Sequence, residues 1–226
     1  MAREGVPSKS TVPASKQTLD FARYDGVDPH SEVMSSKEER GSLLVLSGGG
    51  YRYDRPWLYY LTNLYLEIGH SATCVAYQHD FIQDPHKRPI LRLSVSRLMA
   101  EWAQQRINLP QTIAAFSFGN RILSEALQTG LKLTAGHQII SMSPLLHEDD
   151  EFHRVRKFPL STIFIFGEAD SCAPRDRVET LQQDGFRIWT VPNGDHGLDD
   201  PHSVRRSIDS IRGFMDWLRP CLTQPR

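Results

Sequence analysis

From residue 43 onward, short apolar runs alternate with stretches whose apolar side chains recur every three or four residues, and this rhythm restricts the fold more than any other feature. A short apolar run closed by glycine or polar residues reads as a strand buried on both faces, whereas the longer period reads as an amphipathic helix. Strand and helix in regular succession build a mostly parallel sheet with helices on both faces, an α/β architecture. Strands are predicted at Leu43 to Leu46, Ala72 to Tyr77, Thr112 to Phe116, Gln138 to Met142, Thr162 to Phe166 and Arg187 to Val191. Between them, one helical face carries Leu58, Leu61, Tyr65 and Ile68, with Gly69 where a C-cap belongs. A second carries Leu91, Val95, Leu98, Met99 and Trp102, and a third Ile122, Leu123, Ala126 and Leu127. The last helix is predicted to start near Pro201 and to place Val204, Ile208, Ile211, Met215 and Leu218 on one side. Before residue 43, Gln17 to Phe21 and Glu32 to Met34 are predicted edge strands.

Composition narrows what such a fold would do. With 26 Lys and Arg against 27 Asp and Glu in 226 residues, the chain has no basic surplus for nucleic acid or an anionic membrane. No apolar stretch is long enough for a secretory signal or a membrane span, since the run at 57 to 61 is interrupted by Thr62 and Asn63. Three cysteines, Cys74, Cys172 and Cys221, form no CxxC pair, so neither a disulfide framework nor a structural metal site is expected, and a reducing cytoplasm is. Residues 1 to 15 lack periodicity and read as a flexible tail, leaving 16 to 226 as a single domain. No cofactor is implied: the glycines at 48 to 50 match neither a dinucleotide fingerprint nor a phosphate loop. Oligomeric state is not legible.

Four short segments carry chemistry. The strand ending at Phe116 is followed by Ser117, Phe118, Gly119 and Asn120 and then a helical pattern, a strand-turn-helix centred on serine. A sharp turn of this kind needs small residues two before and two after the serine, and Ala115 and Gly119 are small. The plain alternative is a serine that caps the following helix. Ser47, Gly48, Gly49 and Gly50 follow an earlier strand, where the amide of Gly49 or Gly50 would join that of Phe118 around an oxyanion. Past two later strands come Gly167, Glu168, Ala169 and Asp170, and then Gly194, Asp195, His196 and Gly197. Polar groups at the C-terminal ends of parallel strands are where such sheets gather their ligands and reactive side chains.

In this order the four segments resemble the α/β-hydrolase superfamily over roughly residues 40 to 220, and most nearly its small members related to dienelactone hydrolase. The resemblance implies Ser117 as nucleophile, His196 as base, Asp170 as acid and an oxyanion hole near Gly49 and Phe118. Ser117 stands where those relatives usually carry cysteine, Ala115 replaces the first glycine of the turn, and Asn120 follows where a smaller residue would pack more easily. Glu168 is the alternative acid. Asp195, His196, Asp199, Asp200 and His202 have the alternative reading of a metal cluster, although their spacing matches no named zinc helix. Tyr51, Arg52 and Trp57 follow the glycine loop and are candidate substrate contacts; Cys172 reads as a packed small side chain.

The interval from Met142 to Thr162 is too short for a lid domain, so a shallow site served by loops such as Leu145 to Arg156 is expected, with an acidic edge at Glu148 to Glu151. The expected activity is hydrolysis of a small ester, lactone or thioester. Acyl transfer and peptide cleavage use the same parts, and a catalytically silent module that binds a partner or small ligand is the alternative of a different class.

Overall fold

The computed structural model describes residues 20 to 223 except 38, 134 and 135, so the tail expected at 1 to 15 lies outside the described residues. Seven strands form one sheet: β1 (Glu32–Met34), β2 (Gly41–Leu46), β3 (His70–Val75), β4 (Gln111–Phe116), β5 (Gln138–Met142), β6 (Ile163–Gly167) and β7 (Arg187–Val191). Their spatial order is β1-β3-β2-β4-β5-β6-β7. All neighbours run parallel except β1, which pairs antiparallel with β3 at the edge. The connecting helices are α1 (Pro56–Glu67), α2 (His79–Gln83), α3 (Arg88–Gln105), α4 (Phe118–Gln128), α5 (Asp149–Val155), α6 (Arg175–Gln183) and α7 (Val204–Thr223).

Alternation along each strand divides the core into two layers. Leu43 and Val45 of β2, Ala114 and Phe116 of β4, Ile140 and Met142 of β5 and Ile163 and Ile165 of β6 pack beneath α1 and α7. Leu44, Leu46, Ile113, Ala115, Ile139, Phe164 and Phe166 face the opposite side, covered by α3 and α4 with Leu181 of α6. Because both faces are covered, a one-residue slip would keep most core-facing side chains apolar yet exchange the two jigsaws, so register rests on shape as well as hydrophobicity. Parallel pairing brings the ends of β2, β4, β6 and β7 to one edge, and the four chemistry-bearing segments follow those strands.

Three expectations need correction. In α7 the buried side chains are Ser207, Ile211, Phe214 and Leu218, while Val204 and Ile208 are 77% and 59% exposed. The buried stripe is turned toward Phe214, which packs with Trp57, Trp189 and Trp217 and so fixes which face meets the sheet. The segment Leu145 to Arg156 is not a plain loop: it contains α5, whose Glu151 is fully buried and accepts a hydrogen bond from Ser124 Oγ at 3.1 Å. Phe21 lies in a 3-10 turn, Phe21–Arg23, rather than an edge strand, because Asp20 Oδ1 accepts the Ala22 amide at 3.1 Å and caps the turn; residues 17 to 19 lie outside the described set. Glu32 to Met34 does form an edge strand.

Candidate functional site

The turn between β4 and α4 sets the geometry. Ser117 takes φ 48° and ψ −111°, a conformation that L residues avoid and that costs of order 1–3 kcal/mol. It stands at the N-cap of α4, yet its side chain makes no capping bond, so the hydroxyl is free for other use. Tight packing holds the strain in place. A Cβ on Gly119 would sit 2.6 Å from the Leu46 carbonyl oxygen and 2.8 Å from that of Ser47, so α4 approaches the end of β2 closer than any other residue permits. The Ser117 amide donates to the Met142 carbonyl at 2.9 Å. Asn120, the residue that departs from a small-residue turn, is fully buried: its Nδ2 donates to that same carbonyl at 2.8 Å and its Oδ1 accepts from Ser141 Oγ at 2.7 Å. The larger side chain therefore ties the turn to β5 instead of loosening it. Sequence reasoning missed this role because the bonding partners come from a strand some twenty positions away.

A second close approach joins the loops after β6 and β7. A Cβ on Gly167 would lie 2.3 Å from the carbonyl oxygens of both Gly194 and Asp195, and the Ala169 amide donates to the Gly194 carbonyl at 2.8 Å. Asp170 and His196 are thereby brought face to face. His196 Nδ1 lies 2.9 Å from Asp170 Oδ2, and its Nε2 lies 2.8 Å from Ser117 Oγ. A carboxylate only accepts, so the ring carries its proton on Nδ1 and leaves Nε2 to accept from the Ser117 hydroxyl. Asp170 has a fully buried side chain, whereas that of His196 is 36% exposed, which leaves the imidazole open to an incoming molecule. The remaining Asp170 oxygen accepts the Cys172 amide at 2.8 Å. Glu168 is turned elsewhere, exposed and accepting the Asn193 amide at 3.2 Å. A hydroxyl, an imidazole and a buried carboxylate in this chain can pass the hydroxyl proton to the ring as the oxygen attacks a carbonyl.

The loop that presents His196 is braced from within. Asp195 Oδ1 accepts the amides of Gly197 and Asp199 at 2.8 and 3.1 Å, and Leu198, buried with φ 64°, presents its carbonyl to the indole N–H of Trp57 at 3.1 Å. Trp57 is thus a core residue that holds the histidine loop, not a side chain facing a substrate; it is fully buried because α1 lies beneath that loop. Tyr51 stacks on Phe116 with ring centroids 4.0 Å apart, and Phe116 meets the His196 ring edge-on at 6.3 Å. Burial pushes the Tyr51 phenol up, so it stays protonated. Arg52 is engaged by Asp28 at 2.6 Å.

The glycine loop separates its two candidates. A Cβ on Gly49 would lie 3.9 Å from that of Phe118 and 3.3 Å from Ile82, so Gly49 adjoins the first turn of α4; one on Gly50 would meet nothing within 4 Å. Two residues of the alternative metal reading are otherwise engaged: Asp195 binds backbone amides, and Asp200 binds Arg206 at 2.5 Å and the His202 amide at 2.8 Å. Burial first, and Asp170 second, push the Cys172 thiol up, away from the thiolate that a nucleophile would need.

No family model and no curated protein sequence matches the chain. Solved structures do. A serine hydrolase without lid from Xanthomonas campestris is 17% identical with a TM-score of 0.60, covering 87% of this chain and 91% of that one. Dienelactone hydrolase from Anabaena variabilis is 15% identical with a TM-score of 0.60, covering 83% and 89%. The chain has the α/β-hydrolase fold. Est1E from Butyrivibrio proteoclasticus, solved with ferulic acid bound, shares this α/β-hydrolase fold at 12% identity and a TM-score of 0.58, over 84% of this chain and 94% of its own. Among the described residues no helix is long and apolar enough to cross a membrane.

Proposed function

We propose that the chain is a serine hydrolase that cleaves a small ester, lactone or thioester through an acyl-enzyme. The observation that carries this reading is the continuous hydrogen-bonded chain from Ser117 Oγ through His196 to buried Asp170, at 2.8 and 2.9 Å, built on a strained serine that caps nothing. Ser117 Oγ attacks the carbonyl carbon while His196 Nε2 takes its proton, and Asp170 stabilises the resulting imidazolium. The amide of Phe118, at the positive end of α4, and that of Gly49 beside it stabilise the tetrahedral oxyanion. As the intermediate collapses, His196 returns the proton to the departing alcohol or thiol; water then enters and the same steps release the acid.

A small substrate is favoured because the segment between β5 and β6 holds a single seven-residue helix, α5, and no lid. The names borne by structural neighbours, a dienelactone hydrolase and a serine hydrolase without lid, support the same class. Cys74, Cys172 and Cys221 are all free, which suits a reducing compartment such as the cytoplasm.

The test is labelling by a fluorophosphonate, followed by turnover of short-chain nitrophenyl esters. Wild type should be labelled and hydrolyse the esters; Ser117→Ala should lose the label, and both Ser117→Ala and His196→Ala should lose at least about 10³-fold in turnover while keeping their fold. Absence of labelling on folded wild type would overturn the reading in favour of a binding module, and labelling that survives Ser117→Ala would move the nucleophile.

A further inference from the structure

The pair formed by His196 and Asp170 has a neighbour that the proposed chemistry does not use. Cys172 follows Asp170 by two residues, and the bond from its amide to Asp170 Oδ1 at 2.8 Å curls the loop back on itself. One ligating atom each from Asp170, Cys172 and His196 then lie within 4.8 Å of one another. Sulfur, imidazole nitrogen and carboxylate oxygen together are a donor set that suits zinc, whose bonds of about 2.0–2.3 Å set tetrahedral ligand atoms roughly 3.5 Å apart. His196 Nδ1 and Asp170 Oδ2, at 2.9 Å, would open by a few tenths of an ångström, and the sulfur would close by about one, a movement within a single side-chain rotation. Both Cys172 and His196 are partly exposed, so an ion can reach the group from solvent.

We propose that Asp170, Cys172 and His196 form a zinc-binding site that switches the protein off. Three protein ligands leave the fourth position to water. On binding, the Cys172 thiol releases its proton to solvent and becomes a ligand, and His196 coordinates through Nδ1. The neutral ring's single proton then resides on Nε2. That nitrogen now donates to Ser117 Oγ where before it accepted, so it cannot take the hydroxyl proton. Zinc removes the base without occupying the acyl pocket, and a chelator restores it. Metal binding depends only on the three side chains; its effect on turnover rests on the proposed hydrolase reading.

Two measurements separate these. Adding cobalt(II) to the purified protein should produce a thiolate-to-metal charge-transfer band in the near ultraviolet, lost in Cys172→Ser and in His196→Ala with the far-ultraviolet circular dichroism unchanged. Zinc should suppress ester turnover of wild type at least about tenfold, with recovery in EDTA, at concentrations that lower Cys172→Ser less than about twofold. No band on wild type, or a band that survives Cys172→Ser, overturns the site, as does zinc inhibition undiminished in that variant. If wild type hydrolyses no ester, the cobalt band still decides the metal site while the hydrolase reading falls.

Discussion

The serine turn and the histidine loop are each closed by a glycine pressed against backbone, but they press on different material. Gly119 abuts the carbonyls of Leu46 and Ser47, where β2 ends in the middle of the sheet between β3 and β4. Gly167 abuts Gly194 and Asp195 in the loop after β7, the edge strand, whose side chains other than Val191 are half-buried or exposed. Ser117 is therefore held by the core itself, whereas His196 is held by a loop stitched with hydrogen bonds accepted by Asp195 and Asp170 and donated by Trp57. The strained serine is built against a central strand of the sheet, and the histidine proposed to take its proton sits on a loop beside the edge strand.

The contrast predicts different failures. Gly119→Ala has the largest expected effect: neither β2 nor α4 can withdraw, so the variant should lose about 3 kcal/mol and roughly 6–12 °C in Tm, together with turnover. Thermal unfolding followed by circular dichroism measures this. Gly167→Ala has an even closer clash, 2.3 Å, but a loop that can move out of the way. It should lose only about 1–2 kcal/mol in stability and yet about 10²-fold in kcat, because a displacement of about 1 Å separates His196 from Ser117. Equal stability losses in the two variants, with turnover preserved in Gly167→Ala, would abolish the distinction.

Trp57→Phe probes the histidine loop from beneath. It keeps the ring in the core but removes the donor to the Leu198 carbonyl, leaving a buried acceptor unpaired at about 1–3 kcal/mol. Turnover should fall several-fold with KM unchanged, since this side chain is fully buried. A rise in KM alone would return Trp57 to the substrate contacts that its position after the glycine loop suggests.

Much of this architecture is legible in the sequence, for a physical reason. Strands buried on both faces are mostly apolar and are followed by polar or glycine residues, so β4, β5 and β6 are recognisable to within a residue or so. What escapes is whatever depends on partners distant along the chain. In α7 the apolar positions span more than one face, and only the aromatic group of Trp57, Trp189 and Phe214 decides that Val204 and Ile208 remain outside. Asn120 looks too large for its turn until Ser141 and Met142 are beside it. A run of acidic residues at 148 to 151 reads as an acidic edge, yet Glu151 is folded under against Ser124. The order of Ser117, Asp170 and His196 along the chain is readable as a motif, but their hydrogen-bond distances, and the nearness of Cys172, exist only in three dimensions.

The smallest expected effect falls on the glycine loop and separates space from chemistry. Gly50 has no neighbour within 4 Å of a would-be Cβ and no left-handed φ, so Gly50→Ala should change stability by less than about 0.5 kcal/mol and turnover by less than about twofold. Gly49 is also free of backbone contacts, but Ile82 lies 3.3 Å from its would-be Cβ and Phe118 3.9 Å, on the side where the acyl oxygen is proposed to sit. Gly49→Ala should therefore leave Tm close to wild type while lowering kcat, through a methyl group that pushes against Ile82 and shifts the amide relative to that of Phe118. Because neither substitution strains the fold, any difference between them in turnover at equal Tm reports on the oxyanion contact rather than on stability. If both variants behave like wild type, the second oxyanion donor is not Gly49, and the contrast between a core-held serine and a loop-held histidine stands without it.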